Sequence, residues 1–193
     1  MQKGSVVLFI IQFLYPAIAI FLIWFLFRFI HIMFIKKRFE IKSEIVNVLY
    51  FISVMGIIGL TIFPIMVINN PEDYTEFYVR NNYIPFSSIN DLLEHDYYMV
   101  PLQNILGNIL LFMPFGFMLT LKFKRMNSLF SVSLIGFTCS LLIEVIQLNL
   151  PNRAFDTDDI ILNTLGTSLG LLMYKLRRLG YLLLFKKQIN HES

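Results

Sequence analysis

Long stretches without a single charge leave this chain few folds to choose from. Five of them, residues 6–27, 45–68, 99–121, 126–143 and 160–174, hold no Asp, Glu, Lys or Arg. An apolar helix of about 18–20 residues crosses roughly 30 Å of hydrocarbon. Lipid is therefore the solvent for most of this protein, and its polar residues are read against that solvent.

Composition agrees. Of 193 residues, 56% are hydrophobic, 15% are charged and twenty are Phe, with a mean hydropathy of +0.66. A soluble domain is nearer 45–50% apolar. The expected fold is an all-α polytopic transmembrane helical bundle of five spans. It divides into a first helix and basic loop (residues 1–42), a main transmembrane domain (43–178) and a basic tail (179–193). The first run is too long for a typical signal-peptide core and no small-x-small site follows it, so a retained helix is expected. One cysteine, Cys139, excludes an intramolecular disulfide. The net charge of +3 does not point to nucleic acid, because the basic residues sit at the ends of the apolar runs and mark topology.

Lys36, Lys37, Arg38 and Lys42 lie between the first two runs, Lys122, Lys124 and Arg125 between the third and fourth, and Lys175, Arg177, Arg178, Lys186 and Lys187 after the fifth. The alternate segments hold only Lys3, Arg80 and Arg153, with Glu72, Asp73, Glu76, Asp91, Glu94, Asp96, Asp156, Asp158 and Asp159. Because basic loops face the cytoplasm, five spans place the N-terminus outside and the C-terminus inside. The fifth run reaches only about 22 Å; snorkelling by Lys175, Arg177 and Arg178 would complete it, and a re-entrant hairpin is the alternative. In the long outer loop, Asn69-Asn70-Pro71 is expected to end the second helix, and Ser87-Ser88-Ile89-Asn90-Asp91 to cap a short helix from Ile89 to about Glu94. The odd number of spans and the lack of repeats weigh against an inverted-repeat transporter.

Glu144, at the end of the fourth run, is the only acid within an expected span; a charge near a helix centre costs about 2.5–3.5 kcal/mol. Gln147 follows it at i+3 and shares its face. Asn104 and Asn108 share a face of the third helix, beside Gly107, which would permit close approach. Asp159, Asn163, Gly166 and Gly170 form one stripe on the fifth. Pro114 with Gly116 suggests a kink. Taken singly, each amide is ordinary interhelical glue and each glycine a packing surface. Taken together, polar groups on three helices share one depth in the outer half, and the expectation is that they converge on a pocket.

The loop from Asn152 to Asp159 adds Arg153, a candidate bidentate clamp for carboxylate or phosphate. Asp156, Asp158 and Asp159 are weak candidates for Mg²⁺ or Ca²⁺; the plainer role is that Asp158 or Asp159 caps the fifth helix. His31 and His95 have no metal-ligand partner at useful spacing. No nucleophile elbow, Walker loop or dinucleotide turn occurs, and no cofactor is expected.

At these residues the chain resembles the VanZ-like family. The matching pieces are Arg80 with Asn82-Tyr83-Ile84-Pro85-Phe86, Asn104-Ile105-Leu106-Gly107-Asn108, Leu111-Phe112-Met113-Pro114-Phe115-Gly116-Phe117, Glu144-Val145-Ile146-Gln147, and Arg153, Phe155, Asp156 and Asp159 to Asn163-Thr164-Leu165-Gly166 and Gly170. They cover roughly residues 45–175 and leave the first helix outside. The resemblance implies a multi-pass protein of the bacterial plasma membrane, associated through the family's named member with low-level resistance to teicoplanin, an acylated glycopeptide. It supplies a setting and no reaction.

The expected function is that of an envelope protein whose outer-leaflet pocket, built from Arg80, Asn104, Asn108, Glu144, Gln147, Arg153, Asp156, Asp159 and Asn163, binds an anionic amphiphile: a lipid-linked wall precursor or a lipoglycopeptide. The alternative is a membrane hydrolase or transferase acting on lipid-linked phosphates, with Glu144 as general base and metal held by the aspartates.

Overall fold

The computed structural model describes residues 10–36, 39–63, 80–150 and 153–192. Its described residues are helical throughout apart from turns and one isolated bridge between Asn82 and Asp156. We number the helices α1 (Tyr15–His31, extended by π-helical turns Ile10–Leu14 and Ile32–Lys36), α2 (Ile41–Thr61), α3 (Ser87–Leu93), α4 (Met99–Lys122), α5 (Leu129–Gln147) and α6 (Thr157–Glu192). Four stretches, Ile11–Ile35, Ile41–Thr61, Met99–Lys122 and Leu129–Gln147, are long and apolar enough to cross a membrane. The chain is an all-helical multi-pass membrane protein.

The ends of α2 and α6 differ from expectation. Helix α2 stops at Thr61 instead of near Asn69. Pro64 explains this, because the residue before a proline is pushed out of the helical region and helices end at or before it; the Asn69-Asn70-Pro71 segment itself lies outside the described residues. Helix α6 does not stop at Tyr174 but runs 36 residues to Glu192, about 54 Å at the helical rise. Lys175, Arg177 and Arg178 therefore sit inside a continuous helix. This helix is not among the four that meet the length and apolarity needed to cross.

The chain forms two compact units, Met1–Asn81 with Ile143–Phe155, and Asn82–Leu142 with Asp156–Ser193. In the first, α1 and α2 make an antiparallel hairpin. The Phe13 ring lies against Gly59 and 5.5 Å from Phe63; Trp24 stacks on Phe51 at 4.9 Å, with Phe21 beside it. At the other end Arg28 grips Glu44 through two hydrogen bonds of 2.8 and 2.9 Å. No residue of α1 is buried, as suits a helix whose outward face meets lipid.

In the second unit α4 and α6 run parallel, with α5 antiparallel to both. Gly166 lies against the Ile109 carbonyl, Gly170 against that of Met113, and the Phe117 ring meets Tyr174 edge-on. The register advances four residues on each helix at every step. A Cβ at Gly166 or Gly170 would overlap backbone atoms, so these two glycines set the α4–α6 spacing as small-xxx-small pairs do in membranes. Gly116 meets the Thr167 backbone, and Gly136 the Thr167 side chain. The core that results holds Phe112, Phe115, Leu119, Val132, Ile160, Leu162 and Leu171. Gly107 plays no such part: a Cβ there would meet nothing within 4 Å, against the expectation of a close approach.

Candidate functional site

The 156–159 loop is built by its own carboxylates. Asp156 Oδ1 accepts the Asp158 backbone N–H at 2.8 Å, which is the N-cap bond of α6. The cap was expected from Asp158 or Asp159. Asp158 instead reaches a different helix: its two carboxylate oxygens accept the backbone N–H groups of Phe86 and Ile89, 72 and 69 residues away, and so cap α3. Helix α3 starts at Ser87, two residues before expectation, and its N-cap position is Phe86, which makes no side-chain cap. Phe86 has φ +67°, a left-handed conformation that costs a non-glycine residue about 1–2 kcal/mol; the bond to Asp158 helps hold it. Asn82 joins this knot, donating to Asp156 Oδ1 and Ser88 Oγ at 2.9 Å, while its carbonyl accepts the Thr157 N–H.

Deeper in the same unit, Asn108 donates its amide to Asp159. One helical turn further, Asn163 is 2% exposed and donates to Ser140 at 2.9 Å. Its other amide atom, Oδ1, is buried with no hydrogen-bond partner among the described residues. Thr167 and Ser140 are fully buried beside the same stripe. The second unit thus brings Asn108, Asp159 and Asn163 onto one polar seam, with Asp156 and Asp158 at its head. Asn104 does not join: it is exposed and donates back to the Val100 carbonyl of its own helix.

In the first unit the last turn of α5 carries Glu144, 1% exposed, and Gln147, whose amide donates to the Thr61 carbonyl at 2.7 Å and so satisfies the end of α2. The Arg153 guanidinium donates to the Phe63 carbonyl at 3.4 Å. Asn81 accepts the Phe155 N–H at 2.9 Å. Arg80 is exposed.

Sequence reasoning missed Ser140, although it lies one turn before Glu144 on α5 and that spacing was available. It also missed the bond from Asn82 to Asp156 and the cap that Asp158 makes on α3, for which no local signal exists. The Arg28–Glu44 pair escaped because both residues border apolar runs and look like topology markers. Among the described residues no three of His, Cys, Asp and Glu come together as a metal-ligand set. Asp156, Asp158 and Asp159 are engaged in two helix caps and a hydrogen bond from the Asn108 amide.

This geometry can be set beside known proteins. The VanZ/LLP1 family pattern matches residues 48–178. The chain belongs to the VanZ/LLP1 family. It is 35% identical over 74 residues to Protein VanZ of Enterococcus faecium, a match that covers 38% of this chain and 45% of that protein. The chain thus matches less than half the length of that curated relative. No solved structure matches. Family membership and the four long apolar helices make this a multi-pass bacterial membrane protein with a VanZ-like core. Helix α1 lies outside the matched region. The Asn82, Asn108, Asp156–Asp159 and Asn163 network lies wholly inside it.

Proposed function

We propose that this VanZ-like protein is a non-enzymatic receptor for the polar head of an anionic amphiphile, a lipid-linked wall precursor or an acylated glycopeptide such as teicoplanin. We place the recognition on the seam of Asn108, Asp159 and Asn163, in a chain of five spans with its N-terminus outside. The observation that carries this is the unmatched Oδ1 of Asn163. A buried acceptor without a donor costs about 1–3 kcal/mol, more than a protein keeps for glue that Ser140 already supplies. Peptide N–H and sugar O–H groups are the donors such heads present. The left-handed Phe86 at the head of the seam supports the same reading, since backbone strain of this kind collects at ligand clamps. Arg80 and Arg153, in the first unit, are proposed independently of the seam, as cationic contacts for a carboxylate or phosphate.

The test is binding of purified protein to a lipid-linked wall precursor and to teicoplanin, alongside teicoplanin susceptibility of a host expressing the chain. Asn163→Leu removes the orphaned acceptor. On this reading it weakens binding at least about tenfold, equivalent to one lost hydrogen bond of about 1.4 kcal/mol, while thermal stability holds or rises. Unchanged binding with Asn163→Leu would overturn the seam as the site. Arg153→Ala tests the anion contact separately: resistance should vanish at normal membrane levels of the protein.

The engagement of all three loop aspartates in structural bonds weighs against the metal-assisted hydrolase or transferase.

A further inference from the structure

At the far end of the second unit from the aspartate knot, a cavity of about 370 Å³ is lined by Thr120, Lys124, Asn127, Tyr174 and Arg178. We propose that it is a phosphate-binding site, filled by the head group of an anionic phospholipid. The proposal uses residues separate from the polar seam and does not rest on it.

The lining is a set of donors. Arg178 offers a planar fork suited to phosphate and Lys124 a compact charge. The Asn127 amide and the Tyr174 hydroxyl add neutral donors. Thr120, 1% exposed, closes the floor with its hydroxyl tied to the Gly116 carbonyl at 3.0 Å. No acidic side chain lines the cavity among the described residues. In the sequence, the acids between residues 97 and 191 are Glu144, Asp156, Asp158 and Asp159. The three aspartates head α6 and its one other acid is Glu192, its last residue, so no acid on α4 or α6 is a near neighbour in sequence of either cation.

Neighbouring basic residues are placed differently. Arg177 lies over the Phe117 ring at 6.0 Å and Lys122 over Phe123 at 5.3 Å. Those charges are occupied by aromatic faces, and their topological role needs nothing more. Lys124 and Arg178 instead share one concavity of ligand size. Charges placed only to orient the chain would have no reason to do so. The cavity sits where α4, a helix long enough to cross, comes to its end. Basic pockets between helices at that level hold lipid phosphates.

The experiment is lipid retention by the full chain in phosphatidylcholine nanodiscs doped with cardiolipin, read by native mass spectrometry, with inorganic phosphate as competitor. The wild-type chain should retain cardiolipin over phosphatidylcholine. Lys124→Gln with Arg178→Gln should lower that preference by about tenfold or more, two basic contacts being lost. The charge-conserving pair Lys124→Arg with Arg178→Lys should keep most of the preference, and thermal stability of both variants shows that the fold survives. A preference unchanged in the Gln pair overturns the site. Displacement of cardiolipin by millimolar inorganic phosphate overturns the lipid as occupant and assigns the cavity to a free phosphate.

Discussion

The two units hold their helices together by opposite means. In the α1–α2 hairpin, large aromatic side chains meet one another, and the two helices are tied at one end by the Arg28–Glu44 pair. In the α4–α5–α6 unit, small residues let backbones touch, and hydroxyls and amides fill the seam. Hydrocarbon explains why both work. Lipid tails are as apolar as the side chains, so no hydrophobic force joins helices inside a bilayer. Packing and polar bonds must do it. Side-chain packing adapts to change; backbone packing does not. The family match, residues 48–178, takes in the whole backbone-packed unit as far as Arg178 and only part of the hairpin.

Gly→Ala at matched places should expose this difference most strongly. At Gly170 the new methyl would overlap the Met113 carbonyl and the Phe117 backbone N–H. Neither can yield without parting α4 from α6, so Gly170→Ala should cost about 3 kcal/mol or more. At Gly59 the atoms in the way are the tip of the Phe13 ring, which can swing toward lipid. There the cost should be about 1 kcal/mol, offset in part by the gain in helix propensity. Gly107→Ala, with open space around it, is the control and should be neutral or stabilising. Thermal melting in one detergent checks all three. Equal losses at Gly170 and Gly59 would break the comparison.

The next effect belongs to the hairpin. The Arg28 and Glu44 side chains keep 26% and 12% of their exposure, and Asn47 adds a third contact to Glu44 at 3.3 Å. Removing one partner leaves the other charged in an apolar wall formed by Trp24, Phe25, Phe29 and Val48. Glu44→Gln should therefore cost about 2 kcal/mol. Arg28→Met with Glu44→Leu should be nearly neutral, because no charge is then left behind. A double mutant as unstable as Glu44→Gln would mean that the pair contributes net stability, and the hairpin would then depend on its ion pair more than on its rings.

Much of this was legible before any coordinates. Uncharged runs gave the membrane character because hydrocarbon tolerates little else. The Asp159, Asn163, Gly166, Gly170 stripe was readable because helical periodicity puts those residues on one face, and small residues on a membrane face have few other uses. What escaped was set at long range or by a single overlooked residue. Pro64 ends α2 early, and it stood inside an apolar run that looked unbroken. Asp158 caps a helix through backbone N–H groups 72 and 69 residues away, a partnership that nothing near it announces. Asn104 and Asn108 are equivalent by spacing, yet only Asn108 faces α6; periodicity gives a shared face and not its direction.

The smallest expected effect tests whether hydrogen bonds or close approach hold the second unit. Ser133 and Ser168 meet at 2.7 Å between α5 and α6. Ser168 also donates to the Thr164 carbonyl at 2.8 Å, which uses its only proton, so Ser133 must be the donor across the helices. Interhelical polar bonds of this sort average about 0.6 kcal/mol, because each hydroxyl finds a carbonyl on its own helix when its partner is lost. Ser133→Ala, Ser168→Ala and the double variant should therefore give a coupling near that value, several times smaller than the loss at Gly170. Alanine fits the same close approach, so the backbones stay where they are and only the bond is removed. A coupling energy above about 2 kcal/mol, beyond what such bonds reach in membranes, would reverse the order. The seam would then hold the helices through its polar bonds, with the glycines merely leaving room.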